Sequence, residues 1–337
     1  MNVRAFAAKS PKSKLEEVSI TLPNKTETTL DIDVDYCGIC HSDLSMIDNE
    51  WQFSNYPLVA GHEIVGRVTA VGAAVSDRFK KGDRVGVGWF SKSCRCCTSC
   101  RAGYDNMCVS GEQTIIGRPG GFADQVRVDA SWAIPLPDTL KPETAGPLFC
   151  GGITVFGPLV EYGIRPTDRV GVVGIGGLGH MAVKFLKSWG CEVTAFTSRE
   201  SKINEARAMG AHHVLLSNDT KAFEKIQGSL DFVLVTVNAP LDWNAYLSVL
   251  SSRGRLHFVG AVLEPLNIGV FSMLGGQKSV SASPLGKPEA VTKMLDFAAR
   301  HNIAPTTEFF PMKDINAAIE HLRAGKARYR IVLDNTR

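Results

Sequence analysis

Gly174, Gly176 and Gly179 set a GxGxxG pattern at the end of the apolar run VGVV and at the start of the amphipathic stretch LGHMAVKFLKSWG. The first glycine permits a tight strand-to-helix turn, the second lets a pyrophosphate approach the backbone, and the third lets helix pack closely on strand. Free N–H groups and the positive dipole end then face the phosphates, which makes Gly174, Gly176, Gly177, Leu178 and Gly179 candidate dinucleotide contacts. Taken alone the motif is also what a glycine-rich turn looks like, so its surroundings decide. ITVFGPLVEYG and INEARAMG read as helices, LSVLSSRG as a helical end, and RVGVVGI, CEVTAFT, DFVLVTV and RLHFVGA as apolar strands. Strands alternating with helices predict an α/β unit with a doubly wound parallel sheet covered on both faces.

The strand after the glycines bears on which nucleotide binds. An NAD site usually ends that strand in Asp or Glu, which takes the ribose diol. Here EVTAFT runs into Thr197, Ser198 and Arg199, with Lys202 one turn on. A hydroxyl and two cations suit a 2′-phosphate, so NADP(H) is expected. The alternative is that Arg199 and Lys202 are a solvated helix start and Glu200 takes the ribose.

Up to about residue 150 the texture differs. LDIDVDYCGIC alternates, GHEIVGRVTAVG and DRVGVGWF are β-branched runs between glycines, and GGFADQVRVD continues the pattern. After residue 288 come helical PEAVTKMLDFAARH and INAAIEHLRAGKA, then a strand YRIVLD. The expected division is a mainly β unit over 1–150 and 289–337, with a cysteine-rich lobe near 90–110, and a nucleotide-binding unit over 151–288. With 37 basic and 34 acidic residues the net charge is +3, too slight and too evenly spread for a nucleic-acid or anionic-membrane surface. No apolar run reaches the roughly 18 residues of a membrane span, and MNVRAFAAKSPKSKLEE lacks the apolar core of a leader. The expectation is an untargeted, cytoplasmic chain with no membrane or nucleic-acid partner.

Nine cysteines stand at 37, 40, 94, 96, 97, 100, 108, 150 and 191. An odd, crowded set without a secretory leader points to reduced thiols that bind metal. Cys94, Cys97, Cys100 and Cys108 are spaced C-x2-C-x2-C-x7-C, and four thiolates close a tetrahedral zinc with no open position, a structural site. Cys96 lies inside the run as a competitor for one ligand place. A dispersed set, Cys40 in CGICHSD, His62 and Glu63 in GHE, and Cys150 in FCGG, cannot be joined by spacing.

The segment from Gly61 to Val75 reads G-H-E-x2-G-x5-G-x2-V, which resembles the signature of the zinc-containing alcohol dehydrogenases of the medium-chain dehydrogenase/reductase superfamily. CGICHSD before it, the four-cysteine lobe after it, then LFCGGITV and GIGGLG stand in that family's order, and the similarity covers essentially the whole chain. CGICHSDLSMIDNEW, YPLVAGHE, GPLFCGGITVF and APTTEFFPM look like the cinnamyl-alcohol-dehydrogenase-like branch, nearest its bacterial, broad-specificity, NADPH-dependent aldehyde reductases. The resemblance implies a GroES-like catalytic domain beside a Rossmann domain. It also implies a catalytic zinc on Cys40, His62 and Cys150, with Glu63 able to enter or leave its sphere. Two thiolates and an imidazole leave a fourth position for water or substrate oxygen. Ser42 is then the proton donor and Asp43 the partner that fixes the His62 tautomer. His41 is implied at the pyrophosphate, Thr154 at the nicotinamide, and Trp51 and Phe90 at the substrate. A homodimer or homotetramer is implied too.

Many family members carry histidine five positions after the first ligand, where it ends a proton relay; here that position is Ser45. The relay must leave through Ser45, the ribose, water or another group. His212 and His213 fall on a helix-to-strand connection, and His180 reads as a helix-surface residue; none is assigned a site role. Two other enzyme readings, a dedicated cinnamyl-type or polyol dehydrogenase, share the same zinc and cofactor. A zinc-module binding protein or an NADPH sensor leaves Ser42, GHE and the ordered ligand segments without purpose.

Overall fold

Thr29–Ile39 is the spine of the first unit. Leu30, Ile32 and Val34 point into the core, and Asp31 is neutralised by Arg127 at 2.5 and 2.9 Å. This strand pairs antiparallel with Glu63–Val71 on one side, and with Arg330–Asp334 and Gln125–Asp129 on the other. Arg84–Val87 and Ile134–Pro135 extend the sheet past Glu63–Val71, and Thr307–Pro311 extends it past Arg330–Asp334. Their inward aliphatic faces, with Ile64, Val68, Val85, Phe122 and Val126, form the core. The computed structural model describes residues 2–336, and contacts divide the chain into Met1–Ile153 with Leu285–Arg337, and Thr154–Pro284.

The second unit is a six-stranded sheet in the order His213–Leu216, Glu192–Thr197, Arg169–Val173, Leu230–Val235, Leu250–Phe258, Ser279–Ala282, parallel throughout. The order reverses between Arg169–Val173 and Leu230–Val235, and at such a switch point open α/β sheets bind ligands. Helix Gly179–Trp189 leaves the central strand and stops at Gly190, whose φ of 104° supplies the left-handed cap.

Two sequence expectations need correction. LSVLSSRG is not simply a helical end: the helix Trp243–Ser248 gives way at Leu250 to the strand Leu250–Phe258. Leu250 already pairs with Leu230, and an irregularity before Phe232 absorbs the polar residues that disguised the strand. His180 is no surface residue. It is fully buried, with Nδ1 3.2 Å from Gly176 O, because the first turns of this helix are enclosed on nearly every side, Gly179 to Val183 all being buried. Among the described residues no helix is long and apolar enough to cross a membrane.

Candidate active site

Strand register assembles the centre. Gly38 lies opposite Glu63, and Ile39 lies opposite Ile331. Cys40, at the end of one strand, therefore meets His62 and Glu63 at the start of its neighbour and Arg330 at the start of the other. A Cβ at Gly38 would fall 2.0 Å from Glu63 Oε2, and one at Gly146 would fall 2.5 Å from Glu63 O. The first absence of a side chain gives Glu63 its room. The second lets the turn Gly146–Phe149 close on the strand and deliver Cys150.

The ligand atoms of Cys40, His62, Glu63 and Cys150 lie within 4.8 Å of one another, and all four residues are buried. The two sulfurs are 3.8 Å apart, and His62 Nε2 is 3.2 Å from Cys150 Sγ. Sulfurs bound to a tetrahedral zinc sit about 3.8 Å apart, given Zn–S bonds of about 2.3 Å, so the set fits that ion. Glu63 Oε2 is a buried oxygen without a hydrogen-bond partner, as a carboxylate poised beside a cation would be.

Asp43 organises these ligands from the helix His41–Asp48. Its Oδ2 accepts from Cys40 N at 2.9 Å; its Oδ1 accepts from Gly61 N at 2.8 Å and stands 2.9 Å from His62 Nδ1. A carboxylate can only accept, so the imidazole proton sits on Nδ1 and Nε2 keeps its lone pair for a metal. Burial opposes charge on His62, but Asp43 outweighs it and holds the imidazole well above its usual range. Shared hydrogen bonding drives the Cys40 thiol well down, with help from Arg330, and pushes Cys150 well up. Protons and zinc compete for these same lone pairs. Burial raises Glu63 to about 7 although Arg330, which donates to its Oε1, pulls the other way.

Arg330 was invisible to sequence reading, because it joins Glu63 across 267 residues. Trp89 was missed as well. Its ring meets His62 edge-on at 4.9 Å and Trp51 at 6.0 Å, and Trp51 stacks on Phe53 at 5.7 Å. An aromatic wall thus runs outward from the centre. Phe90 turns onto Trp132, 5.1 Å away. Ser42 Oγ lies 3.7 Å from Cys40 Sγ, and Ser45, buried one turn on, donates to Glu50. His41 is exposed on the helix start, while Thr154 is buried in the helix Gly151–Glu161.

Cys94, Cys97, Cys100 and Cys108 bring their sulfurs within 4.8 Å of one another. Cys94 N–H points at Cys108 Sγ and Cys97 N–H at Cys94 Sγ, both at 3.3 Å, the backbone support thiolates need. Cys96 is exposed outside this set; Cys37 and Cys191 are buried elsewhere.

In the second unit, Gly174 has φ +88° and Gly179 packs so closely that a Cβ would fall 1.8 Å from Gly174 O, whereas a Cβ on Gly176 would meet nothing within 4 Å. Tight turn, close packing and an open face are the three properties a pyrophosphate cradle needs. Ser198 and Arg199 are exposed at the strand tip, and Lys202 Nζ pairs with Glu205 at 3.2 Å.

The alcohol dehydrogenase GroES-like domain model matches residues 26–138, and the zinc-binding dehydrogenase model matches 177–300. Aldehyde reductase AdhA of Synechocystis is 51% identical over 99% of each chain, and a probable cinnamyl alcohol dehydrogenase of rice is 41% identical over 98% of this chain and 93% of its own. A cinnamyl alcohol dehydrogenase structure from Sorghum bicolor superimposes with TM-score 0.95 at 37% identity, covering 99% of this chain and 98% of its own. One from Helicobacter pylori, solved with NADP(H), gives 0.90 at 33% identity over 99% of both. Buried ligand set, glycine turn and full-length similarity agree, and the chain belongs to the zinc-binding alcohol dehydrogenase family.

Proposed function

We propose that this chain is a zinc- and NADP(H)-dependent oxidoreductase that interconverts a broad range of aliphatic and aromatic aldehydes with their primary alcohols. The observation that carries this reading is the buried Cys40, His62 and Cys150 set at tetrahedral spacing, with an aromatic wall leading away from it. The similarity to a protein named aldehyde reductase and to a structure holding NADP(H) supports it, as does a strand tip of Ser198 and Arg199 without a carboxylate.

Zinc on those ligands supplies a Lewis acid to the carbonyl, and NADPH supplies the hydride. The protein's own residues do the rest. Asp43 fixes the imidazole, Arg330 offsets part of the negative charge of two thiolates and Glu63, and Ser42 holds the proton for the product oxygen. Trp51 and Trp89 exclude water from the reacting end and offer apolar surface, which disfavours sugars. The Cys94, Cys97, Cys100 and Cys108 lobe holds a second zinc with no open position, for stability alone.

Leu263, Val270, Phe271 and Leu274 are 60–90% exposed just ahead of the edge strand Ser279–Ala282. An open strand edge beside an apolar patch supports self-association, as a homodimer or a homotetramer built from it. Nine free thiols fit a reducing compartment, the cytoplasm.

Initial rates with butanal, benzaldehyde and cinnamaldehyde, each with NADPH and NADH, test the reading. Turnover of all three with strong NADPH preference is expected. Cinnamaldehyde turnover alone moves the reading to a dedicated cinnamyl-type enzyme, and no turnover by zinc-loaded protein rejects it.

A further inference from the structure

Trp89 owes its place to Thr114. It falls at a bend between the strands Arg84–Val87 and Phe90–Lys92, outside any ladder, where backbone groups must find other partners. Thr114 supplies two. Its N–H donates to Trp89 O at 2.7 Å, and its Oγ1 donates to Gly88 O at 2.6 Å. Those carbonyls belong to the peptide groups on either side of the Trp89 Cα. Each group is planar, so fixing both fixes the direction of the Cα–Cβ bond between them. Thr114 is itself 1% exposed and follows the short strand Glu112–Gln113, which pairs with Phe90–Lys92. The bend also leans on the turn that delivers Cys150, since a Cβ at Gly88 would fall 2.4 Å from Phe149 O. Held in this way, Trp89 keeps its ring edge-on to His62 at 4.9 Å and 6.0 Å from Trp51, while Phe90 beside it is turned onto Trp132.

We propose that Thr114 is a positioning residue that sets substrate selectivity, by holding Trp89 where it narrows the space beside the reacting carbonyl. This rests on the reading of Trp89 as a wall of the substrate site. A ring fixed beside a metal ligand leaves room for an unbranched chain on the carbonyl carbon and crowds a methyl branch at the next carbon. A ring free to swing accepts the branch by moving aside. The preferred class is therefore unbranched aldehydes over their α-branched isomers, and the preference depends on the Thr114 hydroxyl.

Thr114→Val keeps the size of the side chain and its backbone donor but removes the hydroxyl, leaving Gly88 O unpaired; Thr114→Ser retains it. Butanal and 2-methylpropanal, which are isomers, are compared by kcat/KM with NADPH in wild type, both variants, Trp89→Ala and the Thr114→Val, Trp89→Ala double variant. Thr114→Val should lower the preference for butanal about three- to tenfold, towards the low end of what one methyl group is worth in a tight pocket. Thr114→Ser should keep the wild-type ratio, and the KM for NADPH should not move. In the Trp89→Ala background Thr114→Val should add nothing to the ratio, the non-additivity of two residues that act through one. Near-ultraviolet circular dichroism gives a readout without turnover: the signal of the Trp51 and Trp89 pair should weaken in Thr114→Val as it does in Trp89→Ala. A wild-type ratio or spectrum in Thr114→Val, an undiminished effect of that substitution in the Trp89→Ala background, or a wild-type ratio in Trp89→Ala would overturn the proposal. The last of these decides even where Thr114→Val does not fold. Wild-type protein that turns over neither aldehyde rejects the reading of the reaction as well, so wild-type turnover tells the two failures apart.

Discussion

Ser45 Oγ donates to Glu50 Oε2 at 2.7 Å, and the Glu50 N–H returns to Ser45 O at 2.9 Å. The hydroxyl is buried and the carboxylate reaches solvent, and we propose this pair as the route by which the relay proton leaves. Glu50→Gln and Ser45→Ala should each lower kcat for alcohol oxidation about tenfold, at the modest end of proton-transfer effects, and leave the KM for NADP+ almost unchanged. The pH–rate profile of Glu50→Gln decides: a profile identical to wild type places the exit elsewhere.

The two metal sites should separate under mutation. Cys40→Ser should abolish turnover and lose one zinc while preserving thermal stability, whereas Cys100→Ser should lose the other zinc and lower Tm first. Asp43→Asn still reaches His62 but no longer holds its tautomer, and should weaken zinc binding at the first site by about 10–100-fold. Metal content by atomic absorption, read beside Tm, checks all three; stability loss in Cys40→Ser with Tm unchanged in Cys100→Ser means the roles are reversed.

Gly176 and Gly179 should fail in different ways. Alanine at 176 meets no atom within 4 Å, so Gly176→Ala should fold normally and raise the KM for cofactor. Alanine at 179 collides with Gly174 O, and Gly179→Ala should cost about 1–3 kcal/mol of stability, the usual range for overpacking. Urea denaturation beside cofactor titration separates the outcomes, and a destabilised Gly176→Ala with normal cofactor affinity contradicts this assignment.

Much of this was legible in the sequence. GxGxxG and its flanking strands gave the nucleotide unit because both its glycines and its periodicity are local. The four-cysteine lobe was legible for the same reason, since its ligands fall within fifteen residues. The first metal site was not legible from spacing, because Cys40, His62 and Cys150 meet only through strand register and spacing encodes no register between distant strands; only the family resemblance named its ligands. Arg330 and Trp89 were missed on that account, while His180 misled because a helix enclosed on most sides has no face to read.

Arg199→Ala should raise the KM for NADPH about tenfold or more, the loss of one charge-assisted contact, and scarcely change that for NADH. Equal effects on both nucleotides argue against a 2′-phosphate contact.

His257 predicts a pH response away from the active site. It is fully buried between Ser281 and Ser283, each 2.9 Å from a ring nitrogen, and burial lowers its pKa to about 4. The unfolded chain binds a proton at about 6.5 that the folded chain refuses. Its stabilising contribution is therefore whole above pH 6.5 and is lost as pH falls towards 4, by roughly 3 kcal/mol. His257→Gln should flatten the stability curve in that window; an unchanged slope in urea titrations would falsify the assignment.

The two metal sites also differ in how much of the chain must be made before each can form. Cys94 and Cys108 are 14 residues apart, a loop that closes at small entropic cost as soon as it is synthesised. Cys40 and Cys150 are separated by 110 residues, and Glu63 waits 267 for Arg330. The ligands of the lobe are thus all present once the chain reaches residue 108, those of the first site only at residue 150, and the Arg330 partner of Glu63 only with the strand Arg330–Asp334.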